Sequence, residues 1–303
     1  MRRRVLGALV VTGLVFAACF IAILGLLALA ERGEWTFGGN RVALVEVEGL
    51  IVDAQPVVRQ LEEHLDDASI RAIVVRVESP GGVVGPSQEI HDAIAHVREK
   101  GKVVVVSMGA LAASGGYYLA VAADHIVANP GTLTGSIGVL MQLAEFEGLL
   151  KKVGINFEVV KAGRHKDVGN FARAMTPEER SILQALLDDM YDQFVTAVAK
   201  GRHLERAAVL ELADGRVYSG RRAKELGLVD SLGGLDEAVR VAGTLAGISG
   251  KPQLVRPRRQ FRWADLIEWA GSHTALGALL DRRTALAPWP LMGATKLPLY
   301  LME

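Results

Sequence analysis

The chain is poor in cysteine: Cys19 is the only one among 303 residues, so no internal disulfide can form. A domain outside the cytoplasm would have to be held by its core and by subunit contacts. Aromatic residues are scarce at 6%, and charge of neither sign is in excess, with 34 Lys+Arg against 34 Asp+Glu. There is no basic stripe interleaved with aromatics, which excludes nucleic-acid binding as the main activity. HExxH, a Cys cluster and a carboxylate set at ligand spacing are also missing, so no metal or other cofactor is expected. The seven histidines are His64, His91, His96, His125, His165, His203 and His273. His125 opens a predicted strand and His165 adjoins Lys166, which leaves a Ser–His–Asp triad poorly supported.

Charge is wholly absent from Val5 to Ala30. As a helix this stretch would span roughly 39 Å at ~1.5 Å per residue, enough for a tilted crossing of a bilayer core of ~30 Å. Arg2, Arg3 and Arg4 precede it, so the positive-inside rule places the N-terminus in the cytoplasm and everything from Glu31 onward across the inner membrane. The rival reading is a cleaved signal peptide, with Ala28-Leu29-Ala30 as the cleavage site, but the run is longer than a usual apolar region of ~7–15 residues. The expected organisation is a cytoplasmic tip (1–4), a transmembrane anchor (5–30), a linker (31–40), a peptidase-like domain (41–250) and an extension (251–303).

Within 41–250, β-branched runs alternate with helical periodicity. Val42–Val52, Ile70–Val77, Lys102–Ser107, His125–Ala128 and Asn156–Lys161 are predicted strands. The four valines after Lys102 fit a strand buried on both faces. Helices are predicted after Val52, over Ser87–Lys100, from Ser114, and from a capping box at Thr176 to about Lys200, with Ile182, Leu186, Phe194 and Val198 among its inward residues. This alternation predicts an α/β fold with a largely parallel sheet. After Gly250, Arg256-Pro257-Arg258-Arg259 breaks the pattern. The Trp-bearing segment that follows suits either a membrane surface, a subunit contact or packing on its own domain.

Two residues carry the chemistry. Ser114 lies in GALAASGGYYLA, where a strand gives way to a helix; Lys166 lies 52 positions later in the polar loop KAGRHKDVGN. A serine hydroxyl needs a nearby base at neutral pH, and a lysine can serve if its amine is kept neutral. Ser–Lys pairs are an accepted variant of the catalytic triad. Serine is also a favoured helix cap and most loop lysines are simply solvated, so each alone says little. Glu78-Ser79-Pro80-Gly81-Gly82 is a Gly-rich turn after a strand, and the N–H groups of Gly81, Gly82 and Gly115 are candidates for an oxyanion hole; a plain tight turn is the alternative. Ser136, in Thr134-Gly135-Ser136-Ile137-Gly138-Val139, could orient the lysine or merely satisfy a turn.

Taken together, ESPGG, ALAASGGYYLA, TGSIGV, AGRHKD and GRVYSGRRAKELGLVDSLGG resemble the signal peptide peptidase A family over about Val42 to Gly250. The resemblance implies a crotonase/ClpP-like fold of repeated β-β-α units, Ser114 as nucleophile and Lys166 as general base. It further implies a short, single-domain form that assembles into a homo-oligomeric ring, with each site shared between adjacent protomers. Remnant signal peptides and other apolar peptides would be the substrates. Alternatives are a crotonase-type acyl-CoA enzyme, a Ser–Lys membrane peptidase acting on stomatin-like proteins, and a non-catalytic membrane scaffold.

Overall fold

The structure, a computed structural model, describes residue 20, residues 40–256 and residues 301–302. The chain divides into two compact units, Met1–Gly39 and Asn40–Glu303. Of the first, only Phe20 is described, helical and exposed. The expected transmembrane anchor therefore lies outside the described residues apart from Phe20, as does most of the extension after Arg256. Among the described residues no helix is long and apolar enough to cross a membrane.

The second unit is built on an eight-stranded, mostly parallel sheet. Its centre is β1 (Arg41–Glu48), β2 (Ile70–Ser79) and β4 (Val103–Ala113). These are runs of valine and isoleucine because helices cover both faces, so that successive side chains are buried in either direction. One face packs Ala43, Val45, Ile73, Val75, Val104 and Val106 into the main core. Against it lie α1 (Gln55–Asp66), α2 (Val84–Glu99), α3 (Gly115–Ala120) and the C-terminal part of α5 (Pro177–Arg202). The other face buries Leu44, Val74, Val105 and Val127 beneath Ala238 and Ala242 of α8 (Leu235–Leu245).

β4 divides its outer edge between two partners. Val105–Met108 pair with β5 (His125–Ala128), and Leu111–Ala113 pair with β6 (Leu133–Gly135). β6 is followed by an antiparallel partner, β7 (Val217–Ser219), and β5 by β8 (Ser231–Leu232). β9 (Gln253–Val255) pairs with β1. A separate two-stranded sheet joins β3 (Gly82–Val83) to β10 (Leu301–Met302), antiparallel.

Several sequence expectations are corrected. β1 ends at Glu48 rather than Val52, because Gly49 turns the chain at φ 69°. β4 does not end at Ser107 but runs on to Ala113 through the small residues before Ser114. Asn156–Lys161 is not a strand: it is exposed, lacks regular structure and pairs with no strand among the described residues. α5 begins at its expected capping box, Thr176 with Glu179, but buries only its later residues Phe194, Val195 and Val198 plus Glu179, while Ile182 is exposed. The remaining short helices are α4 (Glu147–Val153), which buries nothing, α6 (Arg206–Leu212) and α7 (Gly220–Glu225).

Candidate active site

β4 delivers Ser114 by way of an irregularity that the sheet itself creates. β2 and β4 stay in register from Ala72 opposite Val103 to Val77 opposite Met108; the next pair is Ser79 with Ala112. Gly109–Leu111 thus bulge opposite Glu78, as bulges near functional sites commonly do. Left alone, the bulge would strand its backbone donors. Glu78 supplies the acceptors: its carboxylate takes the N–H of Ala110 at 2.9 and 3.1 Å and that of Leu111 at 3.1 Å. A Cβ on Gly109 would fall 1.6 Å from Glu78 Oε2, so a larger residue there would push this carboxylate away from the N–H groups it accepts.

Ser114 follows at φ 52° and ψ −119°, a conformation that L-residues rarely adopt and that aims its side chain off the line of strand and helix. Its N–H donates to the Gly135 carbonyl at 2.8 Å, while its own carbonyl accepts from Tyr117 and Tyr118. The hydroxyl is fully buried and has no hydrogen-bond partner among the described residues. It does not cap α3. A buried hydroxyl left unpaired costs on the order of 1–3 kcal/mol, which a merely structural serine would not retain.

The Gly-rich turn lies directly beside it. Ile51 donates its N–H to the Gly81 carbonyl at 2.9 Å and accepts the N–H of Val83 at 2.8 Å. This parallel bridge turns the N–H of Gly82 away from Ile51. A Cβ on Gly115 would stand 3.2 Å from that nitrogen and 2.5 Å from Ser87 Oγ, so only glycine lets α3 approach so closely. The first N–H groups of α3 have no intrahelical acceptor. Gly81 is different: its N–H is taken by Ser79 Oγ at 3.0 Å. Of the three candidate donors, Gly115 opens α3, Gly82 turns its N–H to the edge that β10 covers, and Gly81 is engaged in holding the turn. The far edge of β3 carries β10, with Met302 opposite Gly82 and Leu301 opposite Val83.

Ser136 is nearly buried and follows Gly135, the acceptor of the Ser114 N–H; its own N–H donates to the Arg216 carbonyl at 2.9 Å. It sits at φ 51°, as unusual for a non-glycine residue as Ser114. The structure thus gathers Ser114, Gly82, Gly115 and Ser136.

Lys166 is not gathered with them. It is exposed, on a loop of successive turns, and makes no hydrogen bond to Ser114 within the chain. The surrounding arm, residues 143–171, exposes large apolar side chains, including Phe157 and the 94% exposed Val160. Phe146 and Phe157 both pack edge-on to Phe171, at 6.3 and 5.2 Å. His125 pairs with Ser231 Oγ at 2.9 Å, and His165 lies 3.6 Å from Glu178, so neither approaches Ser114 as a base. No group of three or more potential metal ligands occurs among the described residues.

Sequence reasoning quoted Glu78 without giving it a role and did not notice Arg173, whose guanidinium bridges Asp167 and Glu179. Only a carboxylate opposite a small-residue bulge signalled the first; nothing local signalled the second.

Comparison with known proteins places these features in context. Residues 96–249 match peptidase family S49, and residues 47–132 match the Clp protease family. A Synechocystis protein named as a protease is 47% identical over 210 residues, covering 69% of this chain and 76% of that one. Protease 4 of Haemophilus influenzae is 36% identical over 251 residues, 80% of this chain but 39% of that protein. An Enterococcus faecium protein named for signal peptide peptidase SppA is 34% identical over 222 residues, 69% of this chain and 64% of that one.

Proposed function

The chain belongs to peptidase family S49 and is a serine-type peptidase, and on that premise we propose that it is a membrane-anchored endopeptidase that cuts remnant signal peptides and other apolar peptides with a Ser114–Lys166 dyad. The observation that carries this reading is the Ser114 hydroxyl: buried, without a hydrogen-bond partner among the described residues, and borne by the residue before Gly115, whose Cα lies close to the Gly82 nitrogen. In the proposed cycle the neutral amine of Lys166 takes the hydroxyl proton as Ser114 Oγ attacks the peptide carbonyl carbon. The carbonyl oxygen becomes an oxyanion facing the N–H groups of Gly82 and Gly115, each such donor contributing ~2.7–4 kcal/mol in comparable sites. The C–N bond then breaks, and the Lys166 ammonium returns its proton to the leaving amine. Water repeats the sequence on the acyl-enzyme, releasing the new carboxyl end and restoring Ser114. Ser136, beside the acceptor of the Ser114 N–H, orients the lysine.

Lys166 comes from an adjacent protomer in this proposal. The arm that bears it is apolar, exposed and unbonded to the chain's own Ser114, which suits a segment completed by a second copy. A homo-oligomeric ring then encloses the sites. Residues 5–30 anchor it in the inner membrane, N-terminus in the cytoplasm and catalytic domain on the periplasmic side, facing peptides released within the bilayer. The test is hydrolysis of an apolar signal-peptide-like substrate by the detergent-purified oligomer, wild type beside Ser114→Ala. Loss of cleavage in the variant is expected; equal cleavage by both would overturn the assignment of the nucleophile.

A further inference from the structure

The loop that bears Lys166 is exposed, yet it is tied to the first turn of α5 on both sides of the lysine. Before it, Arg164 Nη2 donates to Glu178 at 2.6 Å, and the His165 ring stands 3.6 Å from the same carboxylate. After it, Asp167 accepts from Lys161 and from Arg173, the latter through Nε at 3.1 Å and Nη2 at 2.9 Å. The Arg173 guanidinium also reaches the Asp167 main-chain carbonyl at 3.3 Å. Its other side donates to both oxygens of Glu179, one of them at 2.8 Å.

Arg173 is therefore a planar fork between two carboxylates, one next to Lys166 and one fixed to the sheet-bearing body. Glu179 is rigid for independent reasons. It closes the capping box by accepting the Thr176 N–H at 2.9 Å, and its side chain is only 6% exposed. The Asp167 side chain is 11% exposed. The pair with Glu179 is bidentate, one guanidinium nitrogen to each oxygen, whereas Asp167 takes Nε and Nη2 on the single oxygen Oδ2; such forked arginine–carboxylate contacts have the geometric specificity that single-point ion pairs lack. Lysine in place of arginine would supply one point charge and could not bridge both acids in one plane.

We propose that Arg173 is the positioning residue for Lys166: by clamping Asp167 to Glu179 it fixes the lysine loop at the height and angle from which the amine is presented to Ser114. The inference rests on Lys166 being the base. It assigns Arg173 no contact with substrate. Its effect is on the placement of the loop, and a displacement of ~1 Å at a catalytic group can cost ~100-fold in rate.

The experiment compares the full-length oligomer carrying Arg173→Gln, Arg173→Lys or Lys166→Ala, using steady-state cleavage of the same apolar peptide and hydrogen exchange of backbone amides. Arg173→Gln is expected to lower kcat by about 30- to 100-fold with KM within about twofold, since peptide binding is untouched. Arg173→Lys is expected to recover only part of kcat. Amides of 163–170 should exchange faster in Arg173→Gln, while those of β4 and α3 keep their protection. A purely structural role would instead loosen exchange throughout the domain and reduce the amount of oligomer. Wild-type kcat in Arg173→Gln, beside an inactive Lys166→Ala, overturns this inference alone. So does a fall in kcat without faster exchange at 163–170. An active Lys166→Ala overturns the base assignment and this inference with it.

Discussion

Gly82→Ala isolates the contribution of the turn that faces Ser114. A Cβ at this position would lie 2.1 Å from the Ile51 carbonyl oxygen, 2.6 Å from its nitrogen and 2.7 Å from its carbonyl carbon. All three are backbone atoms, so no rotamer change relieves the contact. Bringing the closest pair from 2.1 Å to at least 3.0 Å moves the chain by about 0.9 Å. That motion carries the Gly82 N–H with it, and the loss of one oxyanion donor costs ~100- to 1,000-fold in kcat. The expected result is a fall in kcat of at least ~100-fold with little change in KM. Two neighbours act as internal standards. Gly81 sits at φ 110°, so Gly81→Ala is expected to cost about 1–3 kcal/mol of stability through backbone strain. Its N–H already serves Ser79, so the direct catalytic loss should be smaller. Gly85, in α2, has open space around its Cβ position, and Gly85→Ala is expected to be neutral or stabilising by up to ~1 kcal/mol. Peptide cleavage by matched amounts of folded oligomer, with thermal midpoints alongside, reads all three. Wild-type kcat in Gly82→Ala would refute the donor assignment, and equal losses in Gly82→Ala and Gly85→Ala would refute the steric argument.

Other expectations can be checked separately. Mixed oligomers of Ser114→Ala and Lys166→Ala chains, each inactive alone, should regain part of the activity, and no recovery in demonstrably mixed rings would mean that each protomer holds its own dyad. Arg173 holds the Glu179 carboxyl down at about 2 from its ordinary 4.5. A depressed acid stabilises the fold fully above pH 4.5 and loses that contribution as pH falls towards 2. Thermal midpoints between pH 7 and pH 3 should therefore drop further in the wild type than in Glu179→Gln, and parallel curves would contradict this. The Tyr117 hydroxyl, buried and donating to the Leu228 carbonyl at 2.9 Å, should make Tyr117→Phe about 1–3 kcal/mol less stable by leaving that acceptor unpaired. Peptide cleavage per folded chain should not change; a variant as stable as wild type would show that the bond contributes nothing.

The sheet was largely legible in the sequence because its strands are buried on both faces, which leaves runs such as Ile70–Val77 and Val103–Val106 with no competing interpretation. The capping box at Thr176 located the start of α5 for the same reason: it is a local pattern with a local cause. Asn156–Lys161 was misread because its β-branched and apolar residues carry strand propensity, whereas a strand also needs a partner and, among the described residues, this segment pairs with none. The inward face expected for the start of α5 was misread similarly: Ile182 follows the helical period but is left exposed. At the site, small residues around Ser114 and Gly82 announced close backbone approach. The engagement of Gly81 by Ser79, the Glu78 acceptors under the bulge and the Arg173 fork all depend on segments meeting across the fold, which spacing along the chain does not encode.

Ser114 adopts a backbone conformation in which glycine is at ease and serine is not. Exchange for glycine would relieve roughly 1–2 kcal/mol of local strain and remove a buried hydroxyl that has no partner among the described residues, while on the proposed assignment silencing the chemistry. Stability and activity therefore pull this position in opposite directions. A lineage released from the need to cut peptides would drift towards a sturdier and inert domain. On the proposed assignment, serine at this position serves turnover against the folding preference of the chain.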